Sequence, residues 1–307
     1  MKIGIVGDLH IAPVPQSRID EYFETGLQKI KEIAVNCDKV IFLGDIFTSA
    51  RVDEKYVYSL IQHLHFCKNS YNTQFYTIIG NHDVVHEDEN NLQDSSLGIL
   101  QISNAIDIIT PDKPLLLDNY CFSTIPVNYK KAKEFIKHLN YTSNINQILL
   151  LHHEYETGTN CFSYEDFRNL GCNMIFLGHD HKPLDAGRII YPEFTVYRSG
   201  SIMRNRGDDY NFTRTLYYYV LENGNVSCQA ITTKPAQDVF KIETLTKQNY
   251  NKQKFVESLN EVIDRYKNNI STQSRFSIKN ILVELGATEN IIDNIRKRYE
   301  KLGEVFE

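Results

Sequence analysis

No apolar run in this 307-residue sequence is long enough to cross a bilayer as a helix. Nor is there an excess of positive charge. Thirty-three Lys and Arg face 39 Asp and Glu, for a net charge of −6. That counts against a generic nucleic-acid binder, whose footprint is basic. It does not exclude one, because two bound divalent cations would add four positive charges at the spot a phosphate must occupy. The six cysteines (Cys37, Cys67, Cys121, Cys161, Cys172 and Cys228) include no CxxC pair. This leaves neither a disulfide frame nor a cysteine zinc site, and the expected state is reduced thiols in a cytoplasmic protein. No internal repeat or low-complexity tract stands out. The first expected strand begins at Ile3, which leaves no room ahead of it for a signal peptide. A hydrophobic content of 42% is ordinary for a globular protein, and the length permits one large domain or one domain plus a small appendage.

What the sequence does contain is a series of short apolar runs, each ending in residues that bind metals. Ile3 to Val6 leads into Gly7-Asp8-Leu9-His10, and Lys39 to Leu43 into Gly44-Asp45. Phe75 to Ile79 leads into Gly80-Asn81-His82-Asp83, Gln147 to Leu151 into His152, and Met174 to Leu177 into Gly178-His179-Asp180-His181. Runs of four or five apolar residues fit strands buried on both faces. Between them lie segments with helical spacing. Tyr22, Phe23, Leu27, Ile30, Ile33 and Ala34 share one face of a helix over 19–35, and 57–66 forms another, with His63 and His65 in structural roles. In open α/β sheets, sites gather at the carboxyl ends of the strands.

Beyond residue 190 the pattern turns antiparallel. Phe194 to Tyr197, Thr215 to Leu221 and Val226 to Ile231 read as strands, with Asn223-Gly224 as a hairpin turn, and predict a second sheet. From Lys241 onward the sequence is polar with helical spacing. Phe255, Val256, Leu259, Val262, Ile263 and Tyr266 form one stripe, and Ser277 and Thr288 are placed to cap later helices. The expected domains are 1–236 and a small C-terminal helical segment, 237–307.

The residue types define the chemistry. Taken singly, DxH, GNHD and GHDH each suit an ordinary turn. Their order, their place after strands and their ligand types together point to a metal centre. Asp8 and His10 can address one ion, Asp45 can place one oxygen on each of two, and Asn81 offers a neutral carbonyl oxygen. His152 and His179 supply imidazoles to the second ion, and His181 returns to the first. Two ions ~4 Å apart polarise a phosphate, activate a water and stabilise charge on the attacking and leaving oxygens. His82 is the candidate to protonate the leaving oxygen, with Asp83 available to orient its ring. Arg18, Arg51, His153, Arg204 and Arg206 are candidate substrate contacts.

The set Asp8, His10, Asp45, Asn81, His82, His152, His179 and His181 resembles that of the calcineurin-like metallophosphoesterase superfamily over roughly residues 1–220. The resemblance implies an α/β fold, a four-layer αββα sandwich of two mixed sheets. It assigns Asp8, His10, Asp45 and His181 to one metal, and Asp45, Asn81, His152 and His179 to the other. It puts His82 in the place of the catalytic histidine. A narrower resemblance is to the SbcD-type DNA repair exonucleases, relatives of the meiotic recombination nuclease. It rests on Ser17-Arg18 before the first helix, Gly44-Asp45-Ile46-Phe47, Ile125-Pro126 before a helix at 129–139, Ser199 to Arg204, and the passage Thr232 to Ile242. That similarity implies Mn²⁺ as the metal (Mg²⁺, Fe²⁺ or Zn²⁺ being alternatives), DNA as substrate, an SbcC-type coiled-coil ABC ATPase as partner, and compatibility with a homodimer. The chain is shorter than those nucleases after the core. A phosphodiesterase or phosphatase acting on a small nucleotide or phosphoester is the alternative reading. A non-enzymatic scaffold ranks last, because the ligand set is complete.

Overall fold

The computed structural model describes residues 1–12, 18–139, 141, 145–156, 160–184, 186–204 and 215–241. The chain divides into two units, Met1–Phe240 and Lys241–Glu307. The Phe255–Tyr266 stripe and the helices expected after Ser277 and Thr288 lie outside the described residues.

Two six-stranded mixed sheets form the core. In chain order the elements of the first half are β1 (Lys2–Val6), α1 (Tyr22–Asn36), β2 (Lys39–Phe42), α2 (Glu54–Tyr71), β3 (Gln74–Thr77), α3 (Ser96–Ile102) and β4 (Asp107–Ile108). Then come β5 (Leu115–Leu117), β6 (Tyr120–Thr124), α4 (Tyr129–Ile136), β7 (Asn146–Leu151), the single turn α5 (Tyr164–Phe167) and β8 (Met174–Leu177). The described strands end with β9 (Arg188–Ile190), β10 (Thr195–Tyr197), β11 (Tyr217–Glu222) and β12 (Asn225–Ala230). The first sheet runs β12-β11-β1-β2-β3-β4 and the second β5-β6-β7-β8-β10-β9. In each, four parallel strands carry antiparallel neighbours at the margin.

The layering follows from the two-residue period of a strand. Ile3 and Ile5 of β1, Ile41 of β2 and Ile148 and Leu150 of β7 point between the sheets, where they pack with Phe122, Phe176 and Tyr219. Their neighbours Val6, Val40 and Phe42 point the other way, onto Ile30, Ile33, Leu60 and Leu64 of α1 and α2. Leu149 and Leu151 likewise pack on Ala132 and Ile136 of α4 and on Phe167. Both faces of each central strand are therefore covered, which is why these segments read as continuous apolar runs. The result is the four-layer αββα arrangement.

Three differences from the sequence expectations have physical causes. The helix expected over 57–66 extends from Glu54 to Tyr71 because the Asp53 carboxylate accepts from the Lys55 N–H at one end and Asn72 takes a left-handed φ of 58° at the other. The late strands do not form a sheet of their own. β11 pairs antiparallel with β1, with Ile3 opposite Leu221, and β12 follows it, while β10 joins β8 in parallel. Local pattern fixes a strand and its faces but not its partner. The short α3, capped by Ser95 accepting from Gly98 N–H, lies below the length that periodicity can resolve. All six cysteines are free, and Cys37, Cys67 and Cys172 are buried in the packed layers.

Lys29 of α1 is buried, and its ammonium donates to the Ile202 carbonyl at 2.5 Å. Burial, reinforced by the Arg18 charge, lowers its pKa from 10.5 to about 7. Above pH 7 the folded chain holds this amine neutral while the unfolded chain still protonates it. The unfolded state then binds more protons, so stability rises with pH until about 10.5. Urea midpoints at pH 6.5 and pH 9 should show a gain in the native chain that Lys29→Met lacks. Parallel curves for the two proteins would contradict this linkage.

Candidate metal centre

The carboxyl ends of β1, β2, β3, β7 and β8 deliver their loops to one place. The β1 and β2 loops zip together: Leu9 and His10 N–H donate to the Asp45 carbonyl at 3.2 and 2.9 Å, and Ile11 N–H to Ile46 at 2.7 Å. The β8 loop joins them through His179 N–H, which donates to Asp8 Oδ1 at 3.1 Å. The turn after β10 completes the frame, with the Ser201 hydroxyl donating to the Asp8 carbonyl at 2.9 Å. Such close approach restricts side chains. Gly44 has a φ of +88°, and a Cβ there would stand 2.7 Å from His152 Nδ1; a Cβ on Gly80 would collide with the Asp45 carboxylate. His10, Asp45 and His179 themselves have φ values of 52°, 49° and 75°. Left-handed backbone at non-glycine residues is uncommon and costs energy, and here it falls on three of the predicted ligands.

Their polar atoms converge on Asp45. Its Oδ2 lies 3.5 Å from His10 Nε2, 3.3 Å from His152 Nε2 and 4.0 Å from His82 Nε2. On one side, His10 Nε2 stands 2.8 Å from His181 Nε2. On the other, Asn81 Oδ1 stands 3.0 Å from His152 Nε2 and 3.1 Å from His179 Nδ1. Asp8, Asp45 and His152 each offer one ligand atom within 4.8 Å of the others. Asp8 Oδ2 is fully buried and has no hydrogen-bond donor among the described residues. A carboxylate oxygen is not buried without compensation unless a cation is to meet it. His152 Nδ1–H donates to the Leu43 carbonyl at 2.6 Å, which turns Nε2 toward Asp45 and Asn81. Anchoring one ring nitrogen on a backbone carbonyl is how proteins aim the other at a metal. This donor set of carboxylate, imidazole and amide oxygen fits divalent metal ions.

The electrostatics agree. Burial raises the Asp8 carboxyl above its ordinary value, against the pull of His152. Burial also acts to raise Asp45, but His152, His10 and His82 outweigh it and leave that carboxyl lowered. Burial opposes protonation of His152, yet Asp45 and Asp8 overcome it and raise its pKa to about 10. His10 is lowered to about 3 by burial, and His179 to about 4 by burial and the His152 charge. The buried carboxylates of Asp8 and Asp45 thus draw positive charge to this cluster, and an imidazole that ligates a divalent ion must be neutral.

The sequence-predicted residues divide clearly. Asp8, His10, Asp45, Asn81, His152, His179 and His181 are brought together, with His82 beside them. Asp83 is a correction. It does not contact the His82 ring; its oxygens accept from Gly80 N–H at 2.9 Å, Ile46 N–H at 3.1 Å and Phe47 N–H at 3.4 Å. It ties the β2 and β3 loops together, and the His82 ring is instead oriented by Nδ1–H donating to the Thr48 carbonyl at 2.8 Å. Arg18 is a second correction. It is 3% exposed, paired with Asp20 at 2.7 Å through both Nε and Nη2, and bonded through Nη1 to the Arg204 carbonyl. That guanidinium is committed inside the protein rather than open to phosphate. Arg204 is buried as well. Arg51 is exposed, and its Nε–H donates to the Asp94 carbonyl at 3.0 Å. His153 is buried with Nε2–H on the Pro126 carbonyl at 2.8 Å, and lines a cavity next to His152 and His179. Arg206 lies outside the described residues. The Leu43 and Thr48 carbonyls were not foreseeable, because a backbone acceptor carries no side-chain signal.

No described helix is long and apolar enough to cross a membrane. Among solved structures, a dimetal phosphatase from Danio rerio is similar at 10% identity, covering 76% of this chain and 97% of that one, with a TM-score of 0.46. A hypothetical protein from Thermus thermophilus is similar at 11% identity, 75% and 98% coverage and a TM-score of 0.41. A predicted phosphoesterase from Streptococcus pneumoniae follows at 12% identity, 75% and 97% coverage and a TM-score of 0.30. A search of curated proteins returns no match. Residues 1–183 match calcineurin-like phosphoesterase as a family. That span is more than half of the chain and carries every ligand-bearing loop described above. The chain therefore belongs to the calcineurin-like phosphoesterases, which makes it a metal-dependent phosphoesterase.

Proposed function

We propose that this phosphoesterase is a DNA nuclease of the SbcD type, cutting phosphodiester bonds at a centre of two Mn²⁺ ions. In this reading Asp8, His10, Asp45 and His181 hold one ion, and Asp45, Asn81, His152 and His179 hold the other. Bound ions of this kind supply Lewis-acid stabilisation of phosphate charge and an activated water. The observation that carries the two-metal centre is the position of Asp45 Oδ2, 3.5 Å from His10 Nε2 in one donor group and 3.3 Å from His152 Nε2 in the other, while DNA as substrate rests on the resemblance alone.

His82 protonates the leaving oxygen. Its Nδ1–H is spent on Thr48, which leaves Nε2 facing the centre, and its side chain is 39% exposed. A half-exposed acid at the edge of the site suits a large substrate that approaches from solvent. The segments around Arg18, Ile46, Pro126 and Ser201 support the SbcD assignment by resemblance. The same resemblance supports a coiled-coil ABC ATPase as partner, and a homodimer is compatible with it.

One observation favours a second reading, hydrolysis of a small nucleotide or phosphoester. The cavity beside His152 and His179 has Glu87 and Glu154 in its lining and no Lys or Arg among the described residues there. A substrate panel separates the two. With Mn²⁺, linear duplex DNA should release nucleotides, and EDTA should abolish the release. Hydrolysis of bis-p-nitrophenyl phosphate with DNA left intact would select the small-substrate reading. No turnover of either with Mn²⁺, Mg²⁺, Fe²⁺ or Zn²⁺ would contradict both.

A further inference from the structure

The cavity beside the metal centre has about 260 Å³ of space. Asn81, His152 and His179 border it on the side of the ligands, and Val127, Tyr129 and His153 supply an apolar and aromatic wall. Glu87, Glu154 and Asn160 complete the lining. Its volume falls below the roughly 300–1,000 Å³ of pockets for drug-sized ligands. That is room for a single ring system rather than a dinucleotide.

Charge narrows the occupant further. With two carboxylates and no Lys or Arg among the described lining residues, a second phosphate would be repelled. The neighbouring ammonium, Lys133, is held by Asp166 at 2.6 Å and is not part of the lining. His153 contributes no donor from Nε2, which is on the Pro126 carbonyl. The chemistry that suits such a lining is an uncharged group rich in N–H donors. Carboxylates accept from exocyclic amino groups, as Glu and Asp do from cytosine N4.

The aromatic wall selects for planarity. The Tyr129 hydroxyl donates to the Cys161 carbonyl at 3.1 Å, and its ring packs edge-on to Phe162 at 5.3 Å and to His153 at 6.5 Å. Lys133 Nζ lies over one face of this half-buried ring at 5.6 Å, which leaves the opposite face for a base, and stacking a base on an aromatic residue contributes about 1–3 kcal/mol.

We infer that this cavity is a base-recognition subsite: it takes the nucleobase attached to the phosphate under attack, stacks it near Tyr129, and reads an exocyclic amino group through Glu154 and Glu87. Amino-bearing bases (adenine, guanine, cytosine) are accepted over thymine and uracil, whose carbonyl oxygens would face carboxylates. The inference deepens the proposed phosphoester hydrolysis and rests on it. It holds for a base at the end of a polynucleotide and for a free nucleotide, because the recognised chemistry is shared.

Two arms test it. In the first, cytidine and thymidine 5′-monophosphates and inorganic phosphate are titrated calorimetrically into the protein, with and without Mn²⁺. Cytidine monophosphate should bind at least tenfold tighter than thymidine monophosphate; Glu154→Gln should erase most of that difference, whereas Tyr129→Ala should weaken both nucleotides about tenfold and leave their ratio. In the second, the p-nitrophenyl esters of the same two nucleotides are compared with methyl p-nitrophenyl phosphate. The cytidine ester should lead in kcat/KM, and Tyr129→Ala should lower its ratio to the methyl ester about tenfold. Oligonucleotides ending in cytidine or thymidine then tell whether the base comes from a DNA end. Equal affinities and equal kcat/KM across the native panel overturn the subsite while leaving hydrolysis standing. Base-selective binding without turnover of any ester leaves the subsite standing and removes the proposed activity.

Discussion

Replacing Asp45 with alanine should cost the protein both metal ions and lower phosphodiester turnover more than about 10³-fold. That is beyond the 10–100-fold typical of residues that merely support a ligand. Asp45 Oδ2 is the atom to which His10 Nε2 and His152 Nε2 both come within 3.5 Å, whereas Asp8 approaches His152 only on the Nδ1 side that the Leu43 carbonyl holds. The fold should survive, because the hydrogen bonds that join the β1 and β2 loops run to the Asp45 carbonyl rather than to its side chain. Circular dichroism should therefore match the native protein while elemental analysis finds less than one ion per chain. A variant that keeps two ions and loses only rate would show that Asp45 does not bridge.

The second large effect is at His82. Changing it to alanine should slow cleavage by about 10²–10⁴, the usual contribution of a positioned general acid. Both ions should remain. His82 Nε2 is 4.0 Å from Asp45 Oδ2, outside the shorter contacts of the two donor groups, and its backbone N–H, which accounts for the 2.9 Å bond to Asp45 Oδ1, persists in the variant. The identity of the leaving group gives a sharper signature. A p-nitrophenolate leaves without a proton, so the variant should lose far less on p-nitrophenyl esters than on DNA. Equal losses on both, or loss of metal in step with rate, would remove His82 from the acid role.

How much of this was legible beforehand varies by residue. The apolar runs at Ile3, Lys39, Gln147 and Met174 became strands covered on both faces, because alternation sends Ile41 one way and Phe42 the other. The ligand residues were legible because each stands where a strand ends, and strand ends in such sheets share one edge. Pairing was not. Nothing in Tyr217 to Glu222 announces that β11 lies against β1 rather than in a separate sheet, since partner choice is set by contacts across the whole chain. Asp83 and Arg18 show another limit. Both have residue types suited to catalysis, but a carboxylate surrounded by three backbone N–H groups and a guanidinium clamped by Asp20 are structural, and only coordinates reveal it. The cavity wall of Tyr129, Glu154 and Glu87 gave no signal in sequence, because its members come from three separate segments (the start of α4, the loop after β7 and the turn after β3) and form no motif.

The proposed chemistry requires two cations that share Asp45. Crystals grown or soaked with Mn²⁺ and measured at the manganese absorption edge test this directly. The expected map has two anomalous peaks, one bounded by Asp8, His10 and His181, the other by Asn81, His152 and His179, with Asp45 reaching both. A single peak, or none near Asp45 at saturating Mn²⁺, would contradict the account.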